Sequence, residues 1–70
     1  MEENRPSTAG SQLLDRAVAV LRRLGEAGEA GERLSVLAAA LDLTPPTAHR
    51  ILAALERHGL VEQEAATHRY

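Results

Sequence analysis

Leu41-Asp42-Leu43-Thr44-Pro45-Pro46-Thr47 is the stretch on which the fold turns. Asp42-Leu43-Thr44 separates two apolar-periodic segments and is too short to be anything but a tight corner between helices. Asp tolerates the left-handed backbone that such a corner needs better than most residues other than Gly. Thr44 followed by Pro45 is a strong helix start. A hydroxyl there accepts from an orphan N–H, and the N–H that proline lacks would have no intrahelical partner at the first position. The helix so opened is expected to run from about Pro45 to His58 and to end at Gly59, which is placed for a left-handed cap. Upstream, Ser35 is expected to cap another helix through Leu41, with Val36, Leu37, Ala40 and Leu41 on one face. Ala38 to Ala40 are small enough to let a second helix come close. Two short helices joined by a turn of about three to four residues are a helix-turn-helix unit.

Outward from this unit, Ser11 offers a cap to a first helix over roughly Gln12 to Leu24. Leu14, Ala17, Val18, Leu21 and Leu24 recur there at helical spacing. Leu13 and Val20 widen the stripe beyond one core contact, so it serves either a helix sandwiched in the domain or a dimer seam. Residues 1–10 have no apolar period and read as a disordered arm. Gly25 to Gly31 repeats a Gly-Glu-Ala triplet, and its three glycines predict a loop or a frayed helix end with solvated acids. Arg33-Leu34 is expected to be a short extended piece. Leu60 to Glu64 reads as a strand, Ala65-Ala66-Thr67 as a turn, and His68-Arg69-Tyr70 as the start of a returning strand. The fold class is therefore mainly α with a small β wing: a three-helix winged helix-turn-helix over residues 11–70, its wing incomplete at the carboxy end.

Composition bounds what such a chain can do. Seventy residues form one small domain that buries about 60% of its unfolded surface. Leu and Ala dominate its apolar content and Tyr70 is its one aromatic residue, which favours close helix packing over a large sheet. There is no cysteine, hence no disulfide framework or thiolate metal site. No run approaches the roughly 18–20 apolar residues of a membrane span, and the polar amino end lacks a signal-peptide pattern. The expected compartment is the cytoplasm. Net charge is −2, which argues against a nucleic-acid binder. Yet the acids gather at Glu2 and Glu3 and at Glu26, Glu29 and Glu32, and every cation is Arg. Arg is the better residue for bidentate contacts to phosphate and guanine.

At about 100° per residue, Ala48, Ile51, Leu52 and Leu55 share the core side of the third helix. Pro46, Arg50, Ala53 and Arg57 lie opposite, flanked by Thr47, His49 and Ala54, with no acid at the centre. Cations among small side chains suit a helix pressed into a major groove; an ordinary solvated face has a similar composition. Thr47 sits in the amino-terminal turn, where docked recognition helices meet base edges. Arg69 in the wing is in reach of a phosphate or a minor groove. His49, His58 and His68 are spaced by nine and ten residues, which does not suit a metal, and neither a cofactor nor an enzymatic site is expected.

Leu14-Asp15-Arg16-Ala17-Val18-Ala19-Val20-Leu21, Leu34-Ser35-Val36-Leu37-Ala38 and above all Thr47-Ala48-His49-Arg50-Ile51-Leu52-Ala53-Ala54-Leu55-Glu56-Arg57-His58-Gly59-Leu60-Val61 resemble the amino-terminal domain of IclR-type transcriptional regulators. The resemblance covers residues 12–70. It implies a cytoplasmic dimeric repressor or activator on a palindromic double-stranded DNA operator, with a separate metabolite-sensing carboxy-terminal domain missing from this chain. By that resemblance the DNA contacts fall on Thr47, His49 and Arg50 and on the wing near Thr67 and Arg69; the helix face adds Pro46 and Arg57. The chain departs from the family pattern twice. Pro45 and Pro46 stand where Lys and Ser are common, and Asp42 stands where Gly is usual. The prolines remove two N–H donors and a cation, so weaker phosphate anchoring is expected with the fold intact. The alternative function is a winged-helix module that binds protein, for which the acidic net charge argues.

Overall fold

A computed structural model describes residues 8–70 of the chain, with side chains from Gln12 onward. Helix α1 spans Thr8–Ala27, α2 Leu34–Ala40 and α3 Pro45–Arg57, and a 3₁₀ turn at Gly28–Ala30 follows α1. Most of the expected disordered arm lies outside the described residues. Its last three residues, Thr8 to Gly10, belong to α1, which therefore starts four residues before the expected Gln12. After Pro6 nothing in the sequence bars a helical backbone, so the helix outruns its own apolar stripe.

The Gly25–Gly31 repeat divides. Gly25 to Ala27 finish α1, then Gly28 at φ 66° and Gly31 at φ 69° turn the chain. Arg33, not Ser35, is the N-cap of α2; it is extended (φ −77°, ψ 148°) and supplies no side-chain cap. The expected extended piece is thus shifted by one residue, because Leu37 N–H already donates to Arg33 C=O at 3.0 Å and Leu34 is helical. The face of α2 that is buried or half-buried is Leu34, Leu37, Ala38 and Leu41, whereas Val36 is 47% exposed.

The corner between α2 and α3 has the expected form. Asp42 is left-handed at φ 57°; its N–H reaches Ala39 C=O at 3.2 Å and the Leu43 N–H reaches Ala38 C=O at 2.8 Å. This pair of bonds is a Schellman closure, with Asp in the position usually given to Gly. Thr44 then caps α3, its Oγ1 accepting from Thr47 N–H at 3.3 Å ahead of Pro45 and Pro46. At the far end Gly59 (φ 78°) repeats the closure, with Gly59 N–H to Glu56 C=O at 3.0 Å and Leu60 N–H to Leu55 C=O at 2.9 Å.

The core is Val20 from α1, Leu37 and Ala38 from α2, Ala48, Ile51, Leu52 and Leu55 from α3, and Val61 beyond it. Ala17, Leu21, Leu24, Leu34, Leu41, Leu43 and Tyr70 pack against this cluster. Val20, expected as apolar excess on α1, is wholly buried. The excess lies instead at Leu13, Leu14 and Val18, exposed by 66%, 65% and 38%. A 20-residue α1 is about 30 Å long, so its amino-terminal turns reach past the helix-turn-helix body.

No strand forms among the described residues, which corrects the expected β wing. The chain path of a wing is nonetheless present. Glu64 N–H donates to Arg69 C=O at 2.8 Å and His68 N–H to Glu64 C=O at 2.7 Å, closing a loop over Ala65–His68. Tyr70 and Glu32 exchange both backbone bonds, at 2.9 and 3.0 Å. The 69–70 segment therefore lies between the two neighbours that a third strand would have. One bonded pair on each side is too little ladder for a strand. The Gln63 amide also donates to His68 C=O at 3.1 Å.

Candidate nucleic-acid interface

The core side of α3 is Ala48, Ile51, Leu52 and Leu55, all buried, which turns the opposite side outward. Pro46, His49, Arg50 and Arg57 are exposed there; Thr47, Ala53 and Ala54 are half-buried. Three side chains able to carry positive charge thus stand on an exposed helix face. Burial, and after it the charge of Glu56 on the flank of α3, pushes the Tyr70 phenol up.

The amino end of α3 is closed to anions. Pro45 and Pro46 have no N–H, and the Thr47 N–H is taken by Thr44 Oγ1. The Thr44 hydroxyl in turn donates to Thr47 Oγ1 at 3.0 Å. A helix N-terminus ordinarily offers free N–H groups to phosphate; here the first three positions of α3 offer none.

Thr47 and Arg50 come together with α1 along a groove of about 820 Å³. Leu13, Leu14, Ala17, Ile51, Ala54 and Leu55 form its apolar part, and Arg16, Arg50 and His58 its polar rim. Among the described residues no carboxylate lines it. Arg16 thereby joins the candidate set. Helical spacing alone does not single it out from the rest of the α1 pattern. Its placement depends on α1 crossing α3 near Thr47, a tertiary relation that helical periodicity does not encode.

Both wing candidates are engaged by the chain itself, Thr67 at the exposed surface and Arg69 half-buried. The Thr67 hydroxyl donates to Glu64 Oε1 at 3.0 Å and accepts from Arg69 N–H at 3.2 Å. The Arg69 guanidinium donates to Gly31 C=O at 3.4 Å, and its charge helps hold the Glu32 carboxyl below its ordinary range. The larger cause of that lowering is Arg23, whose Nε and Nη2 meet both Glu32 oxygens at 2.7 and 2.8 Å. Among the described residues no group of three His, Asp or Glu side chains is arranged to hold a metal ion.

The family profile of the IclR helix-turn-helix domain matches residues 13–65. A glycerol operon regulatory protein of Streptomyces griseus is 49% identical over 59 residues, covering 84% of this chain and 23% of that protein. Its counterpart in Streptomyces coelicolor is 48% identical over the same length and the same shares. The chain thus spans about a quarter of these relatives. No solved structure matches it.

Proposed function

From a chain that belongs to the IclR helix-turn-helix family, and so is a DNA-binding domain of transcription regulation, we propose sequence-specific reading of a double-stranded operator. The observation that carries this reading is the outward face of α3, where exposed His49, Arg50 and Arg57 stand among small residues and no acid lies between them. Arg50 presents a planar fork that matches the guanine edge in the major groove, while Thr47 and His49 meet neighbouring edges. Arg16 and Arg57 neutralise flanking phosphates. With the N–H groups of α3 unavailable, backbone anchoring on this face falls to such side chains. The operator is of the class recognised by the glycerol operon regulators that the chain resembles.

The working unit is a homodimer on a palindromic site, because Leu13, Leu14 and Val18 form an exposed apolar stretch on α1 that a second copy covers. The remainder of such a regulator carries the effector-sensing domain. The competing reading, a module that binds protein and not DNA, separates cleanly by experiment. Binding to duplex DNA measured over a range of salt should weaken steeply, since each neutralised phosphate releases counterions. Absence of duplex binding at low salt favours the protein-binding module.

A further inference from the structure

We propose that Thr44 sets the polarity of base reading at Thr47. It holds the Thr47 hydroxyl as a donor, so that the atom met there is an acceptor of the base edge (guanine O6, thymine O4 or a purine N7) and not an amino group. The inference rests on the DNA-reading function above. A threonine hydroxyl carries one proton and two lone pairs, and left to rotate it serves donor and acceptor edges alike. What Thr47 reads therefore depends on what fixes its rotation.

Thr44 is itself fixed first. It is the N-cap of α3, extended at φ −72° and ψ 150° ahead of a proline. Pro45 and Pro46 have no N–H, so the first donor that the helix offers its cap is the Thr47 N–H, which meets Thr44 Oγ1 at 3.3 Å. An N–H can only donate, so at this contact Thr44 Oγ1 accepts. The Thr44 proton goes to Thr47 Oγ1 at 3.0 Å. Two bonds between the same two residues thus hold the Thr47 side chain and fill one of its lone pairs. The Thr47 proton is left without an acceptor among the described residues. Thr47 is half-buried and lines the groove together with Arg50, whereas Thr44 is exposed. Thr44 acts through Thr47 and is a positioning residue.

The test is selection of duplexes from a randomised pool by the wild-type chain, Thr47→Val, Thr44→Ser and Thr44→Asp, with thermal unfolding of each. Thr47→Val keeps the shape of the side chain without its hydroxyl, and the base pair whose preference it flattens is the one that Thr47 reads. At that pair, base analogues lacking one acceptor should weaken wild-type binding roughly three- to tenfold, and analogues lacking only an amino group should not. Ser and Asp both cap helices, so both Thr44 variants should stay folded. Thr44→Ser still has a proton to give and should keep the wild-type preference. A carboxylate has none and takes that of Thr47, so Thr44→Asp should lower the preference at that one pair by a similar factor, beyond any loss its charge imposes on all duplexes alike. Equal weakening on every sequence in Thr44→Asp overturns the proposal, and so does a lost preference in Thr44→Ser. So does a wild-type chain that depends on an amino group at that pair. Selection that Thr47→Val leaves intact overturns the proposal while the DNA-reading function stands. A wild-type chain that binds no duplex overturns that function, and the inference with it.

Discussion

Arg23 on α1 grips both carboxylate oxygens of Glu32, at 2.7 and 2.8 Å, while the backbone of Glu32 exchanges two hydrogen bonds with Tyr70. One residue thus ties the first helix to the carboxy end of the wing. The Glu32 side chain is 14% exposed and that of Arg23 37%, so the pair is partly open to solvent screening.

Acid should loosen this tie. Arg23 holds the Glu32 carboxyl below its ordinary value of 4.5. A carboxyl whose pKa is lower folded than unfolded stabilises the fold fully above the unfolded value, and that contribution disappears as pH falls through the folded one. Glu32→Gln should therefore be less stable than wild type at neutral pH, and the difference should shrink as pH drops below the ordinary glutamate range. Thermal unfolding across that range checks this. A gap that stays constant down to strongly acidic pH would show that the charge of Glu32 contributes nothing.

Gly31 and Gly25 should respond oppositely to alanine. Gly31 has φ 69°, and a Cβ there would meet the backbone carbonyl oxygen of Tyr70. Gly31→Ala should destabilise by about 1–3 kcal/mol and release the Glu32–Tyr70 pairing. Gly25 is helical and nothing lies within 4 Å of its Cβ position, so Gly25→Ala should stabilise by roughly 0.4–1 kcal/mol. Denaturant unfolding of the two variants reads both signs, and a stabilised Gly31→Ala would refute the tight approach.

The helix-turn-helix was legible in the sequence because its signals are local. The Thr44-Pro45 start, the left-handed Asp42 and the Gly59 stop each depend on a few neighbouring residues, and the structure has all three. The core side of α3 followed from its period alone. What periodicity missed is what only tertiary packing decides. Val20 and Leu14 both lie on the apolar stripe of α1, yet one is fully buried and the other largely exposed, because the body of the domain covers only part of the helix. Ser35 is a good capping residue by type, but the backbone pairing of Glu32 with Tyr70 fixes where the chain leaves its extended path, and α2 starts ahead of it. Arg16 lines the groove beside Thr47 and Arg50 through the packing of α1 against α3, which a one-dimensional reading does not contain.

Restoring donors at the start of α3 should tighten binding without changing what is read. Pro45→Lys with Pro46→Ser returns two N–H groups and adds a cation. Affinity for any duplex should rise, and the salt dependence should steepen by roughly one charge equivalent. The unfolding temperature should move little, since Thr44 still caps the helix. Unfolding of the double variant would make the prolines structural. An unchanged affinity in a folded variant would mean that this end of α3 does not face the phosphate backbone.

That the outward face of α3 reads sequence is tested most directly at Arg50, by measuring Arg50→Ala against wild type on two duplexes at one salt concentration. One is the duplex that the wild-type chain selects from a randomised pool; the other is an unselected duplex. A bidentate base contact predicts a loss of about 1–3 kcal/mol on the selected duplex and little change on the unselected one. Equal weakening on both would make Arg50 a phosphate contact, and unchanged binding on both would contradict the assignment of α3 as the reading helix.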